Sequence, residues 1–395
     1  MPAGSGHGPR DRPSPSPARL AWGRDRFRRA ADLPLLGLPG AVAADRPDAG
    51  VAWHYGDPMR EQRAAEERAA LVDLSHRGLV RITGPDRLRW LHTLASQELG
   101  ELPDGGTTQA LLLSPQGHVL HHLGVTDLDG TTWLDTEAAT VPALLDHLQR
   151  MVFWSDVQVH PAGAEWAQLR VVGPEAASVA VAAGLVEQAP ATGTAVALAG
   201  GGTARGPVGR EAGAVDLLVP RAELGAVATR LLSAGARAAG SWAWSAVRAA
   251  ARIPRWGVDT DDRTIPNELS WLDDAVHLHK GCYPGQETVA RVLNVGRPPR
   301  RLVLLHLDGS VDRLPETGST VLSAEGRPVG RVGTVAQHHE LGPVALALVK
   351  RGVAAGAPLL ADGVDAAVDP DDDAAEVATP LSAVDRRQWA DLRRR

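Results

Sequence analysis

The chain has 395 residues, a formal net charge of −6 and 22% charged side chains. That balance lacks the basic face that nucleic-acid phosphates demand. A single cysteine excludes an intramolecular disulfide framework, and a cluster or zinc site held by four cysteines of one chain. No apolar run approaches the roughly 18 residues of a membrane span, and the N-terminus lacks an apolar signal core. We therefore expect a monomeric cytoplasmic protein without nucleic-acid or membrane partners. The length allows two or three domains.

Residues 1–47 are rich in Pro, Gly, Ser and Arg without periodicity and read as a disordered extension. Met59 to Leu71 has helix composition with opposite charges in reach of one another. Gly78 to Gly84 alternates as a strand, Gly84-Pro85-Asp86 turns the chain, and Arg87 to Leu94 is an amphipathic helix. Thr108 to Gly117 and His118 to Val125 read as a hairpin around Pro115-Gln116-Gly117. Thr132 to Asp135 is a strand, Val141 to Met151 a helix and Val157 to His160 a strand. Strand, Gly-Pro-acid turn and helix then return at Leu169 to Gly173, Pro174-Glu175 and the Ala-rich stretch behind them. The echo predicts two similar α+β halves with a cleft where they join.

Gly200 to Gly213 lacks the strand-GxGxxG-helix context of a dinucleotide site and reads as a flexible loop. Val215 to Val219 is a strand; Ala222 to Ala236 and Ala243 to Arg252 are helices. After Gly296, period-two strands at Leu302–Leu307, Thr320–Leu322, Pro328–Thr334 and Val344–Val349 alternate with Gly turns, predicting a small antiparallel barrel. From Asp369 onward, opposed charge blocks read as a solvated, mobile tail.

The stretch Lys280-Gly281-Cys282-Tyr283-Pro284-Gly285-Gln286-Glu287 holds the lone cysteine. Gly285 to Asn294 reads as a short helix with Glu287 in its first turn and Val289, Val292 and Leu293 on its buried face. Cys282 would sit ahead of that helix with Lys280 two residues back, and both influences favour thiolate. The plainer reading is a small buried hydrophobe. His277, His279 and Cys282 invite a metal site, because i and i+2 on a strand share a face. No carboxylate is placed to support it, so we expect no stably bound metal. The doublets His121-His122 and His338-His339 would point in opposite directions if extended, as surface residues do.

KGCYPGQE, followed by TVARVLNVGRPPRRLVLL, resembles the signature of the YgfZ-type folate-binding proteins. These are iron–sulfur cluster assembly and repair factors related to the T-protein (aminomethyltransferase) of the glycine cleavage system. The opening LVDLSHRGLVRITGPDRLRWLHTL resembles the start of the T-protein folate domain. The resemblance covers roughly residues 50–365. It implies an α+β fold: a T-protein-like folate-binding region of two related subdomains over 48–295, a barrel over 296–368, and the tail 369–395.

Three departures from the T-protein pattern bear on activity. The hairpin that carries Gly-x-x-x-Asp-Asp in T-proteins reads Gly117-His118-Val119-Leu120-His121-His122, without a carboxylate. Arg-Leu-Glu-Ala-Gly appears as Arg248-Ala249-Ala250-Ala251-Arg252. Tyr-Thr-Gly-Glu-Asp-Gly is represented by Val208-Gly209-Arg210-Glu211. A pterin needs a carboxylate for its amidine-like N–H pair, and Glu211 is the candidate.

The resemblance thus implies a folate-binding accessory factor for iron–sulfur proteins. Cys282 would be the reactive group, tuned by Lys280. Arg248, Glu211, Gly281, Tyr283, Gly285, Gln286, Glu287 and Arg291 would contact tetrahydrofolate or a related folate. Iron–sulfur client or carrier proteins would be transient partners. Arg291, Arg297, Arg300 and Arg301 either pair with the glutamate tail of a folate or coat the linker to the barrel. A tetrahydrofolate-dependent aminomethyltransferase and a non-catalytic interaction scaffold are the alternatives.

Overall fold

A computed structural model describes residues 34–210 and 213–372. Structure begins inside the expected extension. A 3-10 turn at Pro34–Gly37 precedes β1 (Val42–Ala43) and β2 (Ala52–His54), and α1 (Pro58–Glu67) follows. The predicted helix stops at Glu67, and its last residues become β3 (Ala70–Asp73), which is buried throughout. Burial on both faces there outweighs helix propensity.

The first half runs β4 (Gly78–Thr83), α2 (Arg87–Leu94), β5 (Gly106–Leu113), β6 (Val119–Leu128), β7 (Thr131–Thr136), α3 (Val141–Arg150) and β8 (Gln158–Pro161). The second runs β9 (Trp166–Val172), α4 (Ala176–Ala182), β10 (Ala195–Ala197), β11 (Thr203–Arg205), β12 (Ala214–Pro220), α5 (Leu224–Ser233) and β13 (Arg237–Ala239). The sheets are ordered β5-β6-β7-β4-β8 and β10-β11-β12-β9-β3-β13. In each, the three strands after the Gly-Pro turn form a meander beside the strand before it. The difference is β3, which inserts antiparallel against β9 and parallel against β13.

The echo extends to single atoms. Gly84 and Gly173 both have positive φ, +109° and +124°. A Cβ on Gly84 would lie 2.1 Å from the carbonyl oxygen of Asp156, and one on Gly173 2.5 Å from that of Arg68. Those carbonyls accept the N–H groups of Asp86 and Glu175, at 3.5 and 2.8 Å. In both halves the turn is thus tied to the residue leading into the neighbouring strand, and only glycine fits.

Each sheet buries one face under its helices. Val80, Ile82, Leu91, Leu123, Leu134 and Leu148 fill the first core; Leu71, Leu169, Val171, Leu217 and Leu231 belong to the second. The Gly-rich stretch expected as a loop contains β11. The chain continues through α6 (Ser241–Ala250), α7 (Trp271–Asp274) and α8 (Gln286–Val295). The predicted barrel closes as β14 (Arg300–Leu307), β15 (Thr320–Ser323), β16 (Pro328–His338), β17 (Gly342–Lys350), β18 (Leu359–Ala361) and β19 (Val364–Val368), in the order β14-β17-β16-β15-β18-β19.

Ala246 and Ala249 of α6 pack on Leu304, Ala336, Val344 and Leu346 of the barrel. The expected mobile tail starts as an anchor: Asp372 accepts from Arg252 Nε at 2.7 Å and from the Leu304 N–H at 2.7 Å.

Gly84→Ala and Gly173→Ala should each lower unfolding free energy by about 2–4 kcal/mol, because a Cβ meets backbone at a strained φ. Gly257→Ala, at φ +78° with nothing within 4 Å, should cost only about 1 kcal/mol. Urea denaturation of the three variants checks the ranking.

Candidate functional site

The two sheets, α6 and the segments around residues 253–256 and 270–274 enclose a partly open cavity. Its walls are strongly charged, and most of the charge is paired in a chain. Arg170 donates to both oxygens of Asp216, at 2.6 and 2.7 Å. Arg205 on β11 donates to Asp216 at 2.8 Å and crosses to Asp135 of β7 at 2.5 Å. Arg77 meets Glu137 at 2.7 Å, and Arg255 joins Glu137 and Asp48 at 2.8 and 2.7 Å. Burial alone would raise these carboxyls, but the guanidinium partners outweigh it and hold Asp216 and Asp135 below the usual range and Glu137 near 2.

Asp73, at the end of β3, lies outside that chain. Its Oδ1 accepts the Ser75 N–H at 2.8 Å, and burial pushes its carboxyl above the ordinary range. Gln168 Oε1 and Ser270 Oγ, both in the wall, are buried without hydrogen-bond partners. Trp244, Trp256 and Trp271 supply aromatic surface. A site with unpaired buried acceptors and aromatic faces fits a planar, polar heterocycle.

The histidine doublets are not surface residues. His121 is 6% exposed, and His122 lines the cavity stacked on Trp271 with centroids 4.4 Å apart. Its Nε2 pairs with Gln109 Oε1 at 2.8 Å. Burial lowers both imidazoles to about 4. Trp256 lies beside His121, with centroids 6.4 Å apart, and Trp271 covers His122, so both members are shielded.

His338 and His339 grip Glu66 of α1 through their Nε2 atoms, at 2.9 and 2.5 Å. This is the one group of three metal-capable side chains among the described residues. Nδ1 of His338 accepts the N–H groups of Glu340 and Leu341, both at 3.2 Å. The ring proton is therefore on Nε2 and is donated to Glu66, which leaves no lone pair there for a metal.

The sequence-predicted residues separate. Arg248 lines the cavity but is a pin: it donates to Ile253 O, Asp259 and Thr334, at 2.5, 2.9 and 2.6 Å. Glu211 lies outside the described residues. None of Lys280, Gly281, Cys282, Tyr283, Gly285, Gln286, Glu287 and Arg291 lines the cavity. Lys280 is buried and spends its three protons on the carbonyls of His92, Ala95 and Gln97, at 2.6, 2.7 and 2.9 Å. It thus caps the C-terminal end of α2 and has no N–H left for the Cys282 thiolate. Burial lowers its ammonium to about 8.

Tyr283 packs in the core with Leu111, Val119 and Trp271, and burial pushes its phenol up to about 12. Gly285 has φ +80°, and a Cβ there would reach Ser114 O at 2.6 Å and Gly117 Cα at 2.8 Å. It is where the start of α8 touches the tip of the β5–β6 hairpin. Gln286 makes a 3.5 Å contact to the Lys280 carbonyl. Glu287 and Arg291 pair at 2.7 Å on the exposed face of α8. Arg300 is held by Asp261 and Glu268. Gly281 and Cys282 are exposed. His277 and His279 do not lie on a strand.

Sequence reasoning missed Arg205, Asp73 and Gln168. Arg205 was hidden by the glycines around it. Gln168, in an alternating strand on a face opposite Leu169, carried a signal that was legible in principle.

Fold and cavity together define an aminomethyltransferase-type (T-protein-like) scaffold. The GCVT N-terminal domain matches residues 40–195, and the CAF17 C-terminal beta-barrel domain matches residues 300–375. An aminomethyltransferase of Nostoc sp. is 30% identical over 368 residues, covering 86% of this chain and 93% of its own. A putative chloroplastic transferase of Arabidopsis thaliana is 24% identical, covering 74% of this chain and 67% of its own. The chain belongs to the aminomethyltransferase-related GCVT family. The crystal structure of the glycine cleavage system aminomethyltransferase T from Bartonella henselae shares the fold, with a TM-score of 0.72 at 22% identity over 83% of this chain and 92% of that one.

Between pH 6.5 and about 4, the unfolded chain binds protons that folded His121 and His122 refuse. Stability should therefore be full above pH 6.5 and fall as pH drops towards 4. His121 alone should contribute on the order of 3 kcal/mol to that fall. Replacing both histidines by glutamine should flatten the limb in urea titrations at pH 7, 6 and 5. An unchanged slope would contradict the assignment.

Proposed function

We propose that the protein is a folate-binding accessory factor for iron–sulfur enzymes, acting through Cys282 without aminomethyl transfer. The observation that carries this reading is the exposed Cys282. It stands in a short bend whose two ends are fastened, by the Lys280 bonds to α2 and by the Gly285 contact with the hairpin tip. A rigidly presented thiol suits contact with a partner protein. A cluster takes about four ligands, and this chain offers one thiolate. Cys282 would therefore act as a temporary ligand on a cluster carried by a partner, which is cargo here and not a resident group.

The folate part of the reading is supported by family membership and by the cavity. Its unpaired Gln168 and Ser270 atoms and its tryptophan faces fit a pterin. Those residues would hold the folate, which would supply recognition and not a transferred carbon. The position of the family's paired aspartates carries His121 and His122, whose lowered basicity leaves them neutral at physiological pH. A neutral imidazole spent on Gln109 is a poor substitute for a carboxylate that must carry charge through a transfer step.

Cys282→Ser should leave thermal unfolding and tetrahydrofolate affinity unchanged while lowering iron–sulfur enzyme activities in the host to the level of a deletion strain. Glycine-cleavage assays with the purified protein should stay at background. Normal cluster-enzyme activities in the deletion strain would remove the proposal.

A further inference from the structure

Two glutamines stand in the cavity wall, and they differ in what their amides do. Gln109 is engaged at both ends: Oε1 faces His122 Nε2 at 2.8 Å, and Nε2 reaches Val208 O at 3.4 Å. Gln168 is 1% exposed, yet its Oε1 is buried without a partner. Its main-chain oxygen accepts the Leu74 N–H at 3.1 Å, which fixes it beside the end of β3, where Asp73 opens on the same cavity. Arg170, two residues on along the same face, is committed to Asp216 and lies 4.8 Å from the Trp244 ring centroid. The wall around Gln168 is therefore rigid, neutralised and aromatic, with one primary amide left over. A buried amide oxygen with no protein partner needs one from outside the fold, and in a cavity wall a ligand can supply it.

We infer that Gln168 reads a lactam edge on the ligand, its Oε1 accepting the ring N–H and its Nε2 donating to the adjacent ring C=O. Asp73 opens on the same cavity, and its carboxyl group can receive a further N–H. The ligand class is a planar heterocycle with neighbouring N–H and C=O groups. This assignment rests on the folate reading, because a reduced pterin carries such an edge, and it names the residue that discriminates among pteridines. A pterin methylated at N3 has lost that N–H and puts a methyl group against the amide, a mismatch that a half-turn of the Gln168 amide cannot repair.

The test uses the full chain, with tetrahydrofolate and its N3-methyl derivative as probes and tryptophan fluorescence or calorimetry as the readout. Wild type should bind tetrahydrofolate at least tenfold more tightly than the N3-methyl analogue. Gln168→Met, which keeps the shape and loses both polar ends, should weaken tetrahydrofolate at least tenfold and narrow the preference. Gln168→Glu, an acceptor only, sets a carboxylate against the ring C=O and should weaken tetrahydrofolate as well. Thermal melts separate a binding defect from a folding defect, and either variant alone suffices if the other fails to fold. If wild type binds tetrahydrofolate and both variants bind it within twofold of wild type, the Gln168 assignment is wrong while the folate reading stands. If wild type binds neither compound, the folate reading falls and the assignment with it.

Discussion

The structure depends on one chain of buried charges, from Arg170 through Asp216, Arg205, Asp135, Arg77, Glu137 and Arg255 to Asp48. Arg205 is its hinge, since it bonds Asp216 within its own sheet and Asp135 in the other. Burying so many charges is expensive unless each finds its partner. The network is therefore satisfied only when the two halves meet in one arrangement, and removing one member would leave another charged and alone. Such a network adds little net stability but strongly disfavours other ways of docking the sheets.

The same pairing shapes the cavity. Because the arginines and carboxylates cancel one another, the wall presents alternating signs that are already spoken for. What remains for a ligand includes the Gln168 amide, the Ser270 hydroxyl and the Asp73 oxygen that Ser75 does not take. Aromatic faces complete the enclosure. Recognition would then depend on a few hydrogen bonds and on stacking, with no net charge required of the guest.

The octapeptide around Cys282 serves two purposes at once. Lys280, Tyr283 and Gly285 face inward and fasten it to α2, to the core and to the hairpin tip. Gly281, Cys282 and Glu287 face outward. A motif read as one chemical unit is thus half anchor and half display, and its specificity comes from needing both. The anchored half also ties the display to the domain that holds the cavity, since Lys280 reaches α2 and Gly285 reaches the β5–β6 hairpin that carries His122.

What the sequence by itself determined was local. The Gly-Pro turns, the helix from Arg87 to Leu94, the β5–β6 hairpin, the start of α8 and the alternating barrel strands all follow from periodicity and turn chemistry within a few residues. The repeat of strand, turn and helix was likewise legible, because the same backbone constraint recurs at Gly84 and Gly173. Tertiary structure alone decided which polar groups are spent and which are free. Arg205 and Asp135 are 70 residues apart, and Lys280 reaches carbonyls more than 180 residues away. Burial on the second face of a strand depends on which layer arrives there. That layer covered both members of His121-His122 and of His338-His339, where alternation alone predicted surface residues. The cavity and the unpaired Gln168 amide exist only after the two sheets, α6 and the segment at Ser270 have met, and no pattern along the chain records their meeting.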